Sequence, residues 1–122
     1  MEPIKEAPVG AGTGEDLAAV TNGIVGLFHE YYGRGPERAK SYLLDDRYLV
    51  CVLGETMTTV ERTLAPSDPD LVRRVRLTFQ EAMAASFIAV VEEVTGRRVV
   101  TYHSQLAVDQ DLGFEFFLLE EC

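Results

Sequence analysis

Residues 38–55, "RAKSYLLDDRYLVCVLGE", decide the fold. Two runs rich in aliphatic and aromatic residues flank a pair of acidic turn formers, which predicts a strand over 38–44, a turn at Asp45–Asp46 and a second strand over 47–53. In the second strand Tyr48, Val50 and Val52 point one way while Leu49, Cys51 and Leu53 point the other, so neither face should meet bulk water. The pattern returns as "RRVVTYHSQL" (97–106), an acidic turn around Asp109–Asp111, and "GFEFFLLE" (113–120). Each hairpin follows a Gly-Arg pair, Gly33-Arg34 and Gly96-Arg97, which closes a helical segment. The chain therefore reads as a doubled α-β-β unit.

Working outward, Leu17, Val20, Ile24, Leu27 and Tyr31 recur at helical spacing and predict a first helix over 15–32, with Thr13 and Asp16 as a capping pair and Gly33 as its stop. Thr58 and Glu61 form the capping box of a short helix through Leu64. Asp68 as N-cap and Pro69 at the first position open a long helix that runs to Thr95 and closes at Gly96. Its apolar stripe reads Val72, Val75, Phe79, Ala82, Ser86 and Val90, widened by Met83, Phe87, Ile88 and Val91, with Arg73, Arg74 and Arg76 assigned to water. The expected architecture is α+β: a mainly antiparallel four-stranded sheet packed by helices, in the order α-β-β-α-α-β-β. Residues 1–14 read as a disordered arm and 15–122 as a single domain.

The 122 residues suffice for one core, and 47% of them are hydrophobic. Apolar residues on both faces of the second and fourth strands, with the apolar C-terminal half of the long helix, leave more hydrophobic surface than the chain can cover, which makes a homodimer the expected resolution. The formal net charge of −9 argues against a nucleic-acid partner. No stretch approaches the roughly 18 apolar residues that span a bilayer, and the first residues carry no secretory pattern, so the expected location is cytoplasmic, without direct membrane insertion. Cys51 reads as a buried hydrophobe and Cys122 as incidental.

The residues with chemical potential gather in "HEYYGRGPERAKSY" (29–42). Gly33 and Gly35 could form a nest of amide N–H groups, with Arg34, Arg38 and Lys40 adding positive charge for a phosphate, a carboxylate or an acidic partner. The competing reading, favoured because a short glycine-rich signal is weak evidence for a binding nest, is a helix stop followed by a turn: Gly33 caps and Pro36 blocks continuation. His29 suits the negative end of its helix. Tyr31, Tyr32, Tyr42 and Tyr48 read as core or interface packing. His103 and Glu115 could meet across the second hairpin, as a polar contact more readily than as an acid–base pair. Two histidines and no cysteine pair leave no zinc pattern, and no phosphate-loop, nucleophile-elbow or dinucleotide motif occurs, so no metal, cofactor or catalytic residue is assigned.

The run "EYYGRGPERAKSY", with "FQEAM" in the long helix and "EEVTGRRVV" at its end, resembles the MpsC-like family of small bacterial proteins over about residues 17–120. The resemblance implies association with a cation-translocating, membrane-potential-generating system, a setting also connected with inorganic carbon uptake. It marks Tyr32, Gly33, Arg34, Gly35 and Pro36 as a family signature and implies no catalytic residue. Two functions follow as expectations. One is a non-enzymatic accessory or regulatory protein that docks a partner at the cytoplasmic face of a membrane complex. The other is a small-anion or nucleotide-binding domain using the Gly-Arg-Gly-Pro turn.

Overall fold

The computed structural model describes residues 14–121. The elements run α1 (Gly14–Tyr32), β1 (Arg38–Leu44), β2 (Tyr48–Gly54), α2 (Thr59–Leu64), α3 (Pro69–Thr95), β3 (Val99–Ala107) and β4 (Leu112–Leu119). The expected α+β order holds, with α1 beginning one residue earlier than read. Of the expected arm over residues 1–14, Gly14 belongs to α1, while residues 1–13, with the Thr13 half of the first capping pair, and Cys122 lie outside the described residues.

Local chemistry sets most element ends. Asp45 and Asp46 both take positive φ, 56° and 55°, and Arg47 N–H donates to Leu44 O at 3.1 Å, reversing the chain within a three-residue loop between the paired Leu44 and Tyr48. The capping box forms in both directions: Thr58 accepts from Glu61 N, and Glu61 accepts from Thr58 N at 2.8 Å. Asp68 caps α3, and Gly33 and Gly96 end α1 and α3 at φ 78° and 68°, where a Cβ would be strained.

The four strands form one antiparallel sheet in the order β1-β2-β4-β3. A doubled hairpin joined through its second strands gives this order, with Cys51 opposite Glu115 at the centre. Helices α1 and α3 pack on each other and cover one face, α1 over β1 and α3 over β3. Leu43, Leu49, Leu53, Phe117 and Leu119 from the sheet meet Leu17, Val20, Ile24 and Phe28 from α1 and Met83, Phe87 and Val91 from α3 in one core. Phe28 takes the buried place read for Leu27 and Tyr31, and Tyr31 is exposed.

The stripe of α3 differs from its sequence reading. Val72, Arg76, Met83, Phe87, Val91 and Thr95 are buried, whereas Val75 and Phe79 are exposed. Arg76, assigned to water by its charge, is 3% exposed because Glu61 at 6% neutralises it: Arg76 Nε donates to Glu61 Oε2 at 2.5 Å and Nη2 to Oε1 at 2.9 Å. The guanidinium also lies over the Tyr32 ring, 4.3 Å from its centroid.

A bulge between Val99 and Thr101 shifts the register at the start of β3. Val99 consequently joins the core beside Leu119, and Val100 turns outward at 48% exposure, the reverse of strict alternation.

The other face of the sheet carries four rows, each running from β1 through β2 and β4 to β3: Leu44-Tyr48-Leu118-Thr101, Tyr42-Val50-Phe116-His103, Lys40-Val52-Phe114-Gln105 and Arg38-Gly54-Leu112-Ala107. Every side chain in these rows is half-buried or exposed. The expectation that β2 is shielded on both sides is thus met by the helices on one side only, among the described residues.

Arg76→Met strands a buried Glu61 carboxylate and Thr56 O, and should lower unfolding free energy by about 3–5 kcal/mol. Combining it with Glu61→Gln, which keeps an oxygen for the Thr58 cap, should recover part of that loss in urea denaturation.

Candidate functional site

The signature residues sit where α1 turns into β1, and the turn docks against the segment that follows β2. Thr56 and Met57 in that segment are 1% and 3% exposed, so their backbone groups need partners within the protein. Arg34 supplies one, donating from Nη1 to Met57 O at 2.9 Å, and from Nη2 it donates to Glu55 O at 3.1 Å. Arg76 Nη2 donates to Thr56 O at 2.8 Å. Asp111, in the β3–β4 turn, accepts from Thr56 N at 2.9 Å and Met57 N at 3.0 Å through Oδ1, while its carbonyl accepts from Glu55 N.

This geometry defines what the Gly-Arg-Gly-Pro turn offers. Gly33 alone is left-handed, and its N–H donates to His29 O as a helix cap; Gly35 does not share that conformation. A Cβ on Gly35 would fall 2.5 Å from His29 Nε2, so this glycine admits the histidine ring. Arg34 also forms a 3.8 Å ion pair with Glu37, and the Arg38 guanidinium lies 3.6 Å from Glu55. Lys40 projects on the open face, its ammonium 5.1 Å from the Tyr42 ring centroid. Near Lys40, a groove of about 280 Å³ runs between α1 and β1, lined by Leu17, Thr21, Asn22, Ala39 and Ser41. The signature therefore does not converge on one point: Arg34 faces inward to carbonyl oxygens, while Arg38 and Lys40 face outward.

His103 and Glu115 are not brought together. His103 lies opposite Phe116 on the open face, and Glu115 lies opposite Ser104 on the covered face, because alternate residues of a strand point to opposite sides. Glu115 instead completes a polar row, Ser41-Cys51-Glu115-Ser104, through the middle of the core. Ser41 Oγ is 2.7 Å from Thr21 Oγ1 of α1, and Tyr102 donates its hydroxyl proton to Glu115 Oε2 at 3.1 Å. A small cavity, about 10 Å³, separates this row from Arg76 and is also lined by Gln80 and Thr56.

The electrostatics follow from burial. Glu115 is 2% exposed, and burial pushes its carboxyl up to about 7, against the hydrogen bonds of Ser104 and Tyr102 and the charge of Arg76. Burial likewise pushes Cys51 up to about 11 and Tyr32 up to about 12, leaving thiol and phenol protonated. Burial would raise Glu61 too, but the bonds from Arg76 and Thr58 outweigh it and hold that carboxyl below the usual range. The Tyr32 hydroxyl is buried without a hydrogen-bond partner among the described residues.

Sequence reasoning missed Asp111 as a backbone cap and the Glu61–Arg76 pair. For the pair a signal existed: the capping box places Glu61, and Arg76 falls in register with Val72, Met83 and Phe87 once charge is disregarded. Among the described residues, no group of three or more His, Cys, Asp or Glu side chains is placed to hold a metal ion, and no helix is long and apolar enough to cross a membrane.

Residues 14–121 match the model of a family described as Na+-translocating membrane potential-generating system (MpsC), over the whole α+β unit. No curated protein and no solved structure matches the chain.

Because Glu115 keeps its proton up to about pH 7 in the fold, whereas an unfolded glutamate releases it near 4.3, its contribution to stability is lost as pH rises between those values, on the order of 3 kcal/mol. Glu115→Gln should remove that loss. Thermal melts of both proteins at pH 5 and pH 8 should show the variant gaining on the parent only at the higher pH.

Proposed function

Because the chain belongs to the MpsC family, we propose that it is a non-enzymatic accessory or regulatory protein of a cation-translocating, membrane-potential-generating system, held at the cytoplasmic side by contact with the system's membrane proteins. Inorganic carbon uptake is one setting in which such a system would work. The side chains with chemical potential support a binding role. Arg34, Arg76 and Arg97 are committed to backbone carbonyls, and His103 and Glu115 lie on opposite faces of the sheet.

The observation that carries the proposal is charge. The chain has a formal net charge of −9, and Glu30, Glu37, Asp45, Glu81, Glu93 and Asp109 are exposed. Cytoplasmic loops of membrane proteins carry an excess of Lys and Arg, whereas the inner leaflet is anionic. An acidic protein is drawn to those loops and repelled by the lipid between them. The protein thus reads as a soluble adaptor steered to a membrane complex by protein contacts.

The test is binding of the full chain to Lys/Arg-rich cytoplasmic loop peptides of the translocating complex, alongside vesicles of phosphatidylglycerol. Affinity should fall about tenfold between low and physiological salt, and Glu81→Lys with Glu93→Lys should weaken it further. Salt-independent binding, or capture by the vesicles alone, would sink the proposal. So would stabilisation by phosphate, bicarbonate or a nucleotide that Arg34→Ala abolishes, which would establish anion binding at the Gly-Arg-Gly-Pro turn in its place.

A further inference from the structure

We propose that the open face of the sheet, centred on Val50 and Phe116, packs against the same face of a second copy of this chain, giving a reversible face-to-face dimer. The central row is apolar on β2 and β4, where Val50 opposes Phe116, and the flanking rows add Tyr48, Phe114 and Leu118. Tyr48 and Phe114 are 38% and 39% exposed, in contrast to Leu49, Leu53 and Phe117 on the covered face, each at 1% or less. A contiguous patch of this kind marks a contact surface.

Charge selects the occupant. Although the chain carries twenty acidic residues, no Asp or Glu among the described residues lies on the open face between the turns; its basic side chains there are Arg38 and Lys40 on β1 and His103 on β3. Two copies that repel over the rest of their surfaces can therefore meet here without opposing carboxylates. Two basic side chains on one edge are too few to hold the face on an anionic lipid surface, where each contributes about 1 kcal/mol.

Size sets the strength. Four strands about 4.8 Å apart and the three rows from Tyr48 to Phe114, about 6.8 Å apart, make an apolar footprint of about 20 by 20 Å. Two such faces, with their side-chain relief, bury on the order of 1,000 Å², the lower bound for a specific interface. The dimer is accordingly dissociable, with the two sheets stacked about 10 Å apart and their side chains interleaved. This inference stands apart from the accessory role, which uses exposed carboxylates such as Glu81 and Glu93 on α3, so either can fail alone.

Sedimentation equilibrium of the full chain should give a mass rising with concentration from 13.5 kDa towards twice that value. Val50→Glu should weaken association at least tenfold while keeping the parent's circular dichroism, and Val75→Glu, on the exposed side of α3, should leave it unchanged. Methyl NMR of the parent supplies a readout that needs no variant: concentration should shift Val50, Val52 and Leu118 and spare Leu49 and Leu53. A parent that stays monomeric at millimolar concentration, a dimer indifferent to Val50→Glu, or shifts confined to another surface would overturn the proposal.

Discussion

The structure depends on how the chain leaves its first hairpin. Residues 55–58 carry it from the sheet into α2, with Thr56 and Met57 sealed from water, and a buried peptide group without a partner forfeits about as much as a lost hydrogen bond. No ladder is available to this segment. Its four N–H groups and four carbonyls are instead met from Arg34, Asp111, Arg76, the Glu61 carboxylate of the capping box and, for Thr58 O, the Arg62 N–H in the first turn of α2. The first helix-strand turn, the second hairpin turn and both later helices converge on one short connector. This is the physical reason that residues far apart in sequence act as one unit.

The doubled unit makes the same arrangement intelligible twice. Arg97 follows Gly96 as Arg34 follows Gly33, and it too donates to a carbonyl just past the second strand of its own hairpin, that of Glu120. It also reaches Asp46 O in the other half's turn at 2.8 Å. Likewise Glu55 N donates to Asp111 O, and Leu119 N to Arg47 O, so each hairpin's exit is held by the turn of the other. The Gly-Arg pair is a fold-closing device. Its glycine frees the end of a helix, and its arginine spans the gap that the helix end leaves.

What could be read from sequence was what local chemistry decides. The Asp45–Asp46 turn, the Thr58/Glu61 box, the Asp68 cap and the two left-handed glycines each rest on a few adjacent residues and appear where expected. What could not be read was decided by contacts across the fold. Arg76 reads as solvated because its partner is fifteen residues away in another helix. Likewise, His103 and Glu115 separate because the register of the second hairpin, with Ala107 opposite Leu112, pairs Ser104 rather than His103 with Glu115. Of the candidate site, the glycine cap was legible, whereas the inward course of Arg34 depends on where β2 ends and could not be.

Joining the hairpins through their second strands leaves β1 and β3 as the two edges of the sheet. An open edge invites further strands, and with them endless polymerisation. Here β1 enters from Pro36 and bears Arg38 and Lys40, while β3 opens with a bulge that turns Val100 out of line. Charge guards one border and irregular pleating the other. The molecule can therefore expose apolar sheet surface to bulk water without seeding a fibril, since whatever meets that surface must approach it broadside.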